Sequence, residues 1–452
     1  MVSAIPRVVV AGTSSGAGKT SVACGLIAAL RSRGHVVQGF KVGPDYIDPS
    51  YHALAGGRPG RNLDAFLAGP ELVEPLFLHG AAAADVAVVE GVMGLFDGAS
   101  GRGELASTAH VAKLLGAPVL LVIDAAAMAR SAAAIVHGYR TFDPDVEIAG
   151  VIVNKVGSDH HVELLREAIE ALGVPLVGAL PRDERMAAPE RHLGLVPAAE
   201  REGSTREAIA ALGEAVGASV DIDAILALAR SAPPLAGAAW SPSGGSGAAT
   251  IAIARGPAFS FHYEENLELL RANGATLAPF DPLTDTALPE HAGALILAGG
   301  FPEVFCAELS ANVPLREEVA AFARSGRPVL AECGGLLYLC DELDGLPMCG
   351  VLPARGRMAG RLSIGYREAL ARAPSALWAA GEQVRGHEFH YSSVEGDGTA
   401  AWELSARGRS RPEGFVAGGV HASYLHVHWA AFPQAARRLV AAAAREPSTA
   451  WA

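Results

Sequence analysis

Short runs that are apolar at every position recur along the chain and alternate with stretches rich in Ala, Leu and Glu. In the first half these runs are Val8–Ala11, Val36–Phe40, Val86–Val89, Val119–Ile123, Ala149–Val153 and Leu176–Ala179. In the second half they include Thr250–Ala254, Ala294–Leu297 and Pro328–Ala331. Runs this short, with no polar alternation, predict strands covered on both faces. Their alternation with helical stretches predicts parallel α/β sheets in both halves. Between the halves, Ser231-Ala232-Pro233-Pro234 through Gly244-Gly245-Ser246-Gly247 is uncharged and rich in Pro, Gly and Ser, which resists packing. We therefore expect a domain over 1–230, a linker over 231–248 and a second domain over 249–445.

Composition narrows the class. The 452 residues suffice for two to three domains of about 150 residues each. Hydrophobic residues make up 50% and charged residues 19%, which excludes a wholly disordered chain. The net charge of −12, without a long basic run, argues against nucleic acid as a partner. No stretch reads as a membrane span, and the start of the chain lacks the apolar core of a secretory leader. Five cysteines (Cys24, Cys306, Cys333, Cys340, Cys349) form no paired framework, so a reducing, cytoplasmic setting is expected.

Open α/β sheets bind ligands beyond the carboxyl ends of their strands, so chemistry is sought there. After the first strand stands Gly12-Thr13-Ser14-Ser15-Gly16-Ala17-Gly18-Lys19-Thr20-Ser21, followed by a helical stretch from Val22 to Arg31. This is a P-loop in its strand–loop–helix setting. Gly12, Gly16 and Gly18 let backbone N–H groups turn toward phosphate oxygens, Thr13 and Ser21 flank them, and the helix N-terminus adds positive potential. Lys19 would reach the β- and γ-phosphates of ATP, and Thr20 would hold Mg²⁺. The spacing Gly-x5-Gly-Lys-Thr is one residue longer than the common form and resembles the dethiobiotin-synthetase-like branch of P-loop proteins. Candidate acids lie at neighbouring strand ends: Glu90 and Asp97 after the third strand, Asp45 and Asp48 after the second. Glu90 and Asp45 join Thr20 as candidate metal ligands, with Asp64 a weaker one. Asn154, after a later strand, could hydrogen-bond an adenine edge.

The second half offers a nucleophile. Pro328 through Leu339 read as strand, sharp turn and helix, with Cys333 on the turn ahead of Gly334-Gly335. Such a turn exposes the sulfur, and the helix N-terminus favours the thiolate. A base is also needed. His421, His426 and His428 compete for that role, and on an alternating pattern His426 and His428 would share a face. Gly299-Gly300, following another strand, can aim N–H groups at a developing oxyanion together with Gly334.

Taken in order, these strings resemble the cobyrinic acid a,c-diamide synthases of cobalamin biosynthesis over nearly the whole chain. Lys41 to Pro49, Glu90 to Gly98, Glu332-Cys333-Gly334-Gly335, Gly365-Tyr366-Arg367, Gly386 to Ser392 and Ala422 to His428 carry the resemblance together with the P-loop. It implies an ATP-dependent amide-forming domain followed by a class I glutamine amidotransferase domain with a flavodoxin-like core. Ammonia from L-glutamine would amidate the a and c carboxylates of a corrin acid, cobyrinate or hydrogenobyrinate. Cys333 matches the family's glutaminase nucleophile and His426 its activating His, with His428 the fallback. Many class I amidotransferases carry Glu where His428 stands, so the resemblance implies a Cys–His dyad. Asp45, Asp48, Glu90 and Asp97 match acidic positions of the synthetase site. Two departures stand near the domain junction, where an acidic residue is expected near Gly256 and an aromatic at His262. Arg361, Arg367, Arg385, His387 and His390 are candidates for holding an anionic substrate.

Two other readings compete. A nucleotide switch with a degenerate second domain has no use for an intact Cys333, Gly299-Gly300 and His426. A related amidotransferase, cobyric acid synthase or a nickel-sirohydrochlorin amidase, shares the same motifs. Oligomeric state is not set by the sequence, a homodimer being one assembly it allows.

Overall fold

A computed structural model describes residues 4–182, 190–191, 194–195 and 202–445. The chain divides into two compact units, with the boundary between Ser241 and Pro242.

The first unit is built on seven parallel strands: β1 (Arg7–Gly12), β2 (Val37–Val42), β3 (Arg61–Leu63), β4 (Val86–Glu90), β5 (Val119–Asp124), β6 (Ile148–Val156) and β7 (Leu176–Pro181). Their order across the sheet is β3-β2-β4-β1-β5-β6-β7. All six positions of β1 and of β2 are buried, as expected for strands covered on both faces. Parallel register sets Lys41 of β2 beside Glu90 of β4, and Glu90 beside Val10 of β1. The helix α1 (Lys19–Ser32) starts where the loop after β1 ends. Sheet order thus gathers the carboxyl ends of β2, β4 and β1 at one edge.

The second unit has a core sheet ordered Ala275–Phe280, Ala249–Ala254, Ala292–Leu297, Val329–Glu332, Val420–Ser423 and Phe415–Ala417. The first five strands are parallel and follow the 2-1-3-4-5 order of flavodoxin-like folds, while the last runs antiparallel. A second, largely antiparallel sheet fills the chain between Cys340 and Glu413. Its longest members, Leu352–Ala371 and Gln383–Gly396, form a long antiparallel pair whose register shifts between Met358 and Ser363. This sheet was not anticipated from apolar runs. Its strands are half-exposed and polar, and Leu352–Ala371 carries four arginines.

The Pro- and Gly-rich stretch is held down rather than loose. Arg7 Nη2 donates to Pro233 O, Gly237 N to Glu74 Oε1 and Trp240 N to Pro75 O. On the other side of the boundary, Asn273 Nδ2 donates to Ser243 O and Gly245 N to Ala272 O. Among the described residues, no helix is long and apolar enough to cross a membrane.

His421 sits within the core sheet, buried, with its Nδ1 unpaired and its ring edge-on to Trp402 at 5.2 Å. Burial pulls its imidazole down to about 4. The unfolded chain titrates near about 6.5, so between these values the unfolded state holds more protons and stability falls as pH drops. Replacing His421 by Leu is expected to remove this part of the acid sensitivity. Urea midpoints of both proteins at about pH 7 and about pH 5 measure it, and equal pH slopes would contradict it.

Candidate active sites

In the first unit, Gly18 takes φ +98°, a conformation that favours glycine. A β-carbon there would lie 2.1 Å from Asn154 Nδ2, so Gly18 also admits the Asn154 side chain. Asn154 Nδ2 donates to Ala17 O at 3.1 Å and so braces the loop. Gly16, at φ +77°, faces open space. Tyr139 OH donates to Thr13 O at 2.7 Å, a brace the sequence reading did not include. Lys19 is 7% exposed and donates through Nζ to Ser14 O at 3.0 Å. Burial, then the neighbouring Lys41, pulls its ammonium down to about 8. Ser21 lies in the first turn of α1.

Glu90 is the hub of this edge and is fully buried. Its Oε1 accepts from Thr20 Oγ1 at 2.6 Å and from Lys41 Nζ at 2.8 Å, and its Oε2 lies 2.7 Å from His52 Nε2. Lys41 also pairs with Asp48 Oδ2 at 2.6 Å and donates to Gly91 O at 3.0 Å. Burial alone would raise the Glu90 carboxyl, but Lys41 and His52 override it and hold it well below the usual carboxylate range. For Asp48, burial and nearby Asp45 outweigh Lys41 and push the carboxyl up. One cation shared by two buried acids leaves Glu90 as the firm anion. Lys41 opens the loop string already noted at this edge, without a role assigned to it, whereas His52 is new. The register of Lys41 beside Glu90 could have flagged the first, but His52 lies on a helix with no motif around it.

Other predicted acids have local jobs. Asp45 Oδ1 accepts from Ile47 N at 2.7 Å and Asp48 N at 2.9 Å, capping the helix Ile47–Gly56. Its Oδ1 is engaged at the helix start, whereas Thr20 and Glu90 meet directly at the end of the phosphate loop. Asp64 Oδ1 likewise accepts from Phe66 N and Leu67 N. Asp97 Oδ2 accepts from Gly94 N at 2.9 Å, shaping the turn after β4 close to the phosphate loop, since a β-carbon at Gly94 would lie 3.2 Å from Thr13 O. Among the described residues, no group of three or more His, Cys, Asp or Glu is arranged around a metal. Thr20 and Glu90 offer two hard oxygens, a set that fits Mg²⁺ completed by phosphate oxygens and water.

In the second unit, Cys333 stands between the strand Val329–Glu332 and the helix Gly334–Leu339, at φ 48° and ψ −98°. This strained corner is held by Cys333 N donating to Ser423 O at 2.7 Å. Burial, with Glu303 adding to it, pushes the Cys333 thiol up, so a base is required to ionise it. Cys24, Cys306, Cys340 and Cys349 are buried free thiols on ordinary backbone, also raised by burial.

The predicted oxyanion residues meet at this corner. A β-carbon on Gly334 would lie 3.1 Å from Gly300 N. On Gly300 it would lie 2.1 Å from Ala258 O, and on Gly299 it would lie 2.6 Å from His426 Cε1 and 3.3 Å from Nε2. Gly299 is thus the residue that lets the His426 ring in. His426 is 1% exposed, and its backbone exchanges hydrogen bonds with His387, N to O at 2.9 Å and O from N at 3.0 Å. The strand ends at Ser423, so the expected shared face of His426 and His428 does not arise. His428 turns to Glu265, with Nε2 at 3.4 Å from Oε2, and packs on Tyr263. That arrangement favours His426 over His428 as the base.

The suggested substrate-binding residues divide. Arg367 Nε pairs with the buried Glu388 at 2.6 Å, and Arg411 pairs with the same carboxylate. His390 stacks on Tyr424 at 3.6 Å, and burial, then His426, pulls His387 down to about 3. Arg367, His387 and His390 therefore belong to an internal network, whereas Arg361 is exposed. Near Gly256, a β-carbon would lie 2.6 Å from the Asp281 carboxylate, so the glycine leaves room for that acid. His262 is half-buried, with Nε2 3.2 Å from Ala254 O.

Comparison with known proteins finds two family matches along the chain. Residues 8–196 match the CobQ/CobB/MinD/ParA nucleotide binding domain, and residues 250–434 match the CobB/CobQ-like glutamine amidotransferase domain. The chain is 56% identical to a hydrogenobyrinate a,c-diamide synthase of Streptomyces coelicolor, over 97% of either chain. It is 51% identical to the enzyme of the same name from Thermobifida fusca, again over 97% of each. A cobyrinate a,c-diamide synthase of Syntrophotalea carbinolica is 47% identical over 96% of this chain and 98% of its own. A match at this level over nearly the full length shows that the chain belongs to the a,c-diamide synthase family of glutamine-dependent amidating ligases.

Proposed function

We propose that the chain amidates the a and c carboxylates of hydrogenobyrinate, using ATP, Mg²⁺ and L-glutamine, in a reducing cytoplasm. The observation that carries this reading is the conjunction of a P-loop edge centred on Glu90 with a Cys333 elbow, in a chain matching hydrogenobyrinate synthases over nearly its full length. Residues 1–230 form the amide-making domain and residues 249–445 the ammonia-producing one.

The chemistry follows from the groups present. A carboxylate is a poor acyl donor because it would have to expel oxide. Moving the γ-phosphoryl group of ATP onto a carboxylate oxygen gives an acyl phosphate and ADP. Ammonia then adds to the carbonyl carbon, and phosphate leaves. Lys19 and the loop N–H groups hold the phosphates and offset their charge. Bound between Thr20, Glu90 and the nucleotide, Mg²⁺ would supply further charge neutralisation. Lys41 and His52 keep the Glu90 carboxylate charged and in place.

In the second unit, His426 Nε2 takes the Cys333 proton and the sulfur attacks the glutamine carboxamide. The imidazolium returns that proton to the departing ammonia, leaving a glutamyl thioester. Water, deprotonated by His426, then releases glutamate and restores the thiol. Backbone N–H groups around Gly300 and Gly334 would meet the oxyanion of each step.

The substrate is tested by offering hydrogenobyrinate and cobyrinate separately with ATP, Mg²⁺ and glutamine. Faster conversion of the metal-free acid is expected. Equal or faster conversion of the cobalt form would move the substrate assignment to cobyrinate.

A further inference from the structure

His426 has an acidic partner that the dyad expectation did not include. Its Nδ1 lies 3.4 Å from Glu332 Oε2, within hydrogen-bonding distance. The His426 side chain is 1% exposed and that of Glu332 14%, so water screens this contact little. Glu332 ends the strand Val329–Glu332, one residue before the nucleophile, and its register pairs it with Ser423, three residues before His426. The backbone therefore delivers the carboxylate to the same corner as the ring.

The opposite edge of the ring lies against the loop that follows the strand Ala292–Leu297. Cε1 and Nε2 lie against Gly299, beside Gly300 and Gly334. A carboxylate accepts only, so the Nδ1 side must carry the proton, which leaves the lone pair on Nε2. His428 does not compete for Glu332, because it is turned toward the buried Glu265.

We propose that Glu332 is the positioning residue of the glutaminase site: it fixes the His426 ring and tautomer and stabilises the imidazolium that forms when Cys333 gives up its proton. This inference rests on the assignment of Cys333 and His426 above. Glu332 touches neither glutamine nor the sulfur proton; it acts through His426.

The test compares Glu332→Gln and Glu332→Ala with the unaltered full chain, using hydrogenobyrinate, ATP and either glutamine or ammonium. Gln keeps the shape and a hydrogen-bond acceptor but removes the charge. A structural spacer would therefore be rescued by Gln, whereas an electrostatic partner would not. We expect both variants to lose on the order of 10–100-fold in glutamine-dependent kcat, as removed supports of functional histidines do. KM for glutamine should stay close to that of the unaltered chain, and ammonium-driven turnover should be retained. Gln behaving like the unaltered chain would overturn the proposal. So would a parallel loss of the glutamine- and ammonium-driven rates, since that marks a general structural role. Cys333→Ala run alongside separates the two levels. If it leaves glutamine-dependent turnover intact, the glutaminase assignment itself fails; if it abolishes that turnover while Glu332→Gln is normal, only the role of Glu332 fails.

Discussion

Cys333→Ala is expected to lower glutamine-dependent amidation by more than about a thousandfold, because the thioester cannot form without the sulfur. Ammonium salts should restore turnover, since the P-loop edge lies in a separate compact unit and needs only ammonia. The fold should tolerate the change. The side chain is small, and the strained backbone at φ 48° is held by the Cys333 N–H bond to Ser423 O, which alanine keeps. Comparing initial rates with glutamine and with ammonium measures both halves of the expectation. Failure of ammonium to rescue would mean that the cysteine supports more than ammonia release.

Lys41→Met should give the opposite pattern: loss of turnover with either nitrogen source, accompanied by loss of stability. Lys41 Nζ lies 2.8 Å from Glu90 Oε1 and 2.6 Å from Asp48 Oδ2, with the three side chains 5%, 0% and 12% exposed. Removing the cation leaves two buried acids facing each other. Breaking a buried pair from one side typically costs about 3–5 kcal/mol, more than deleting an exposed ion pair. Urea denaturation of the two proteins reads this directly. A change below about 1 kcal/mol would show that water compensates the cluster and that Glu90 is not held as a dry anion.

The contrast between the two variants follows from how the sequence encodes each site. Gly12 through Thr20 and Glu332 through Gly335 are contiguous strings whose chemistry depends on local backbone, so both were legible from residue order. The nine apolar runs read as strands all occur, because a strand buried on both faces leaves an uninterrupted apolar signature. The sheet between Cys340 and Glu413 left no such trace, since its strands keep one face polar and the Leu352–Ala371 strand reads as a charged loop. Partnerships made across the sheet were also hidden. His52 on Glu90 is 38 residues away in sequence, and Glu332 on His426 is 94. Asp45 was legible as an acid in the right loop, but its commitment to the N–H groups of Ile47 and Asp48 depends on helix geometry. Arg367 and His390 looked like ligands for an anion, yet each faces Glu388, which no spacing rule connects to both.

The central claim is that one chain draws ammonia from glutamine and places it on two corrin carboxylates. Heavy-nitrogen-labelled glutamine, with label only in the side-chain amide, tests it most directly. Incubated with the full chain, ATP, Mg²⁺ and hydrogenobyrinate, it should yield a product in which mass spectrometry finds two labelled amides. Unlabelled product, a single labelled amide at completion, or ATP hydrolysis with no amidation would contradict the account.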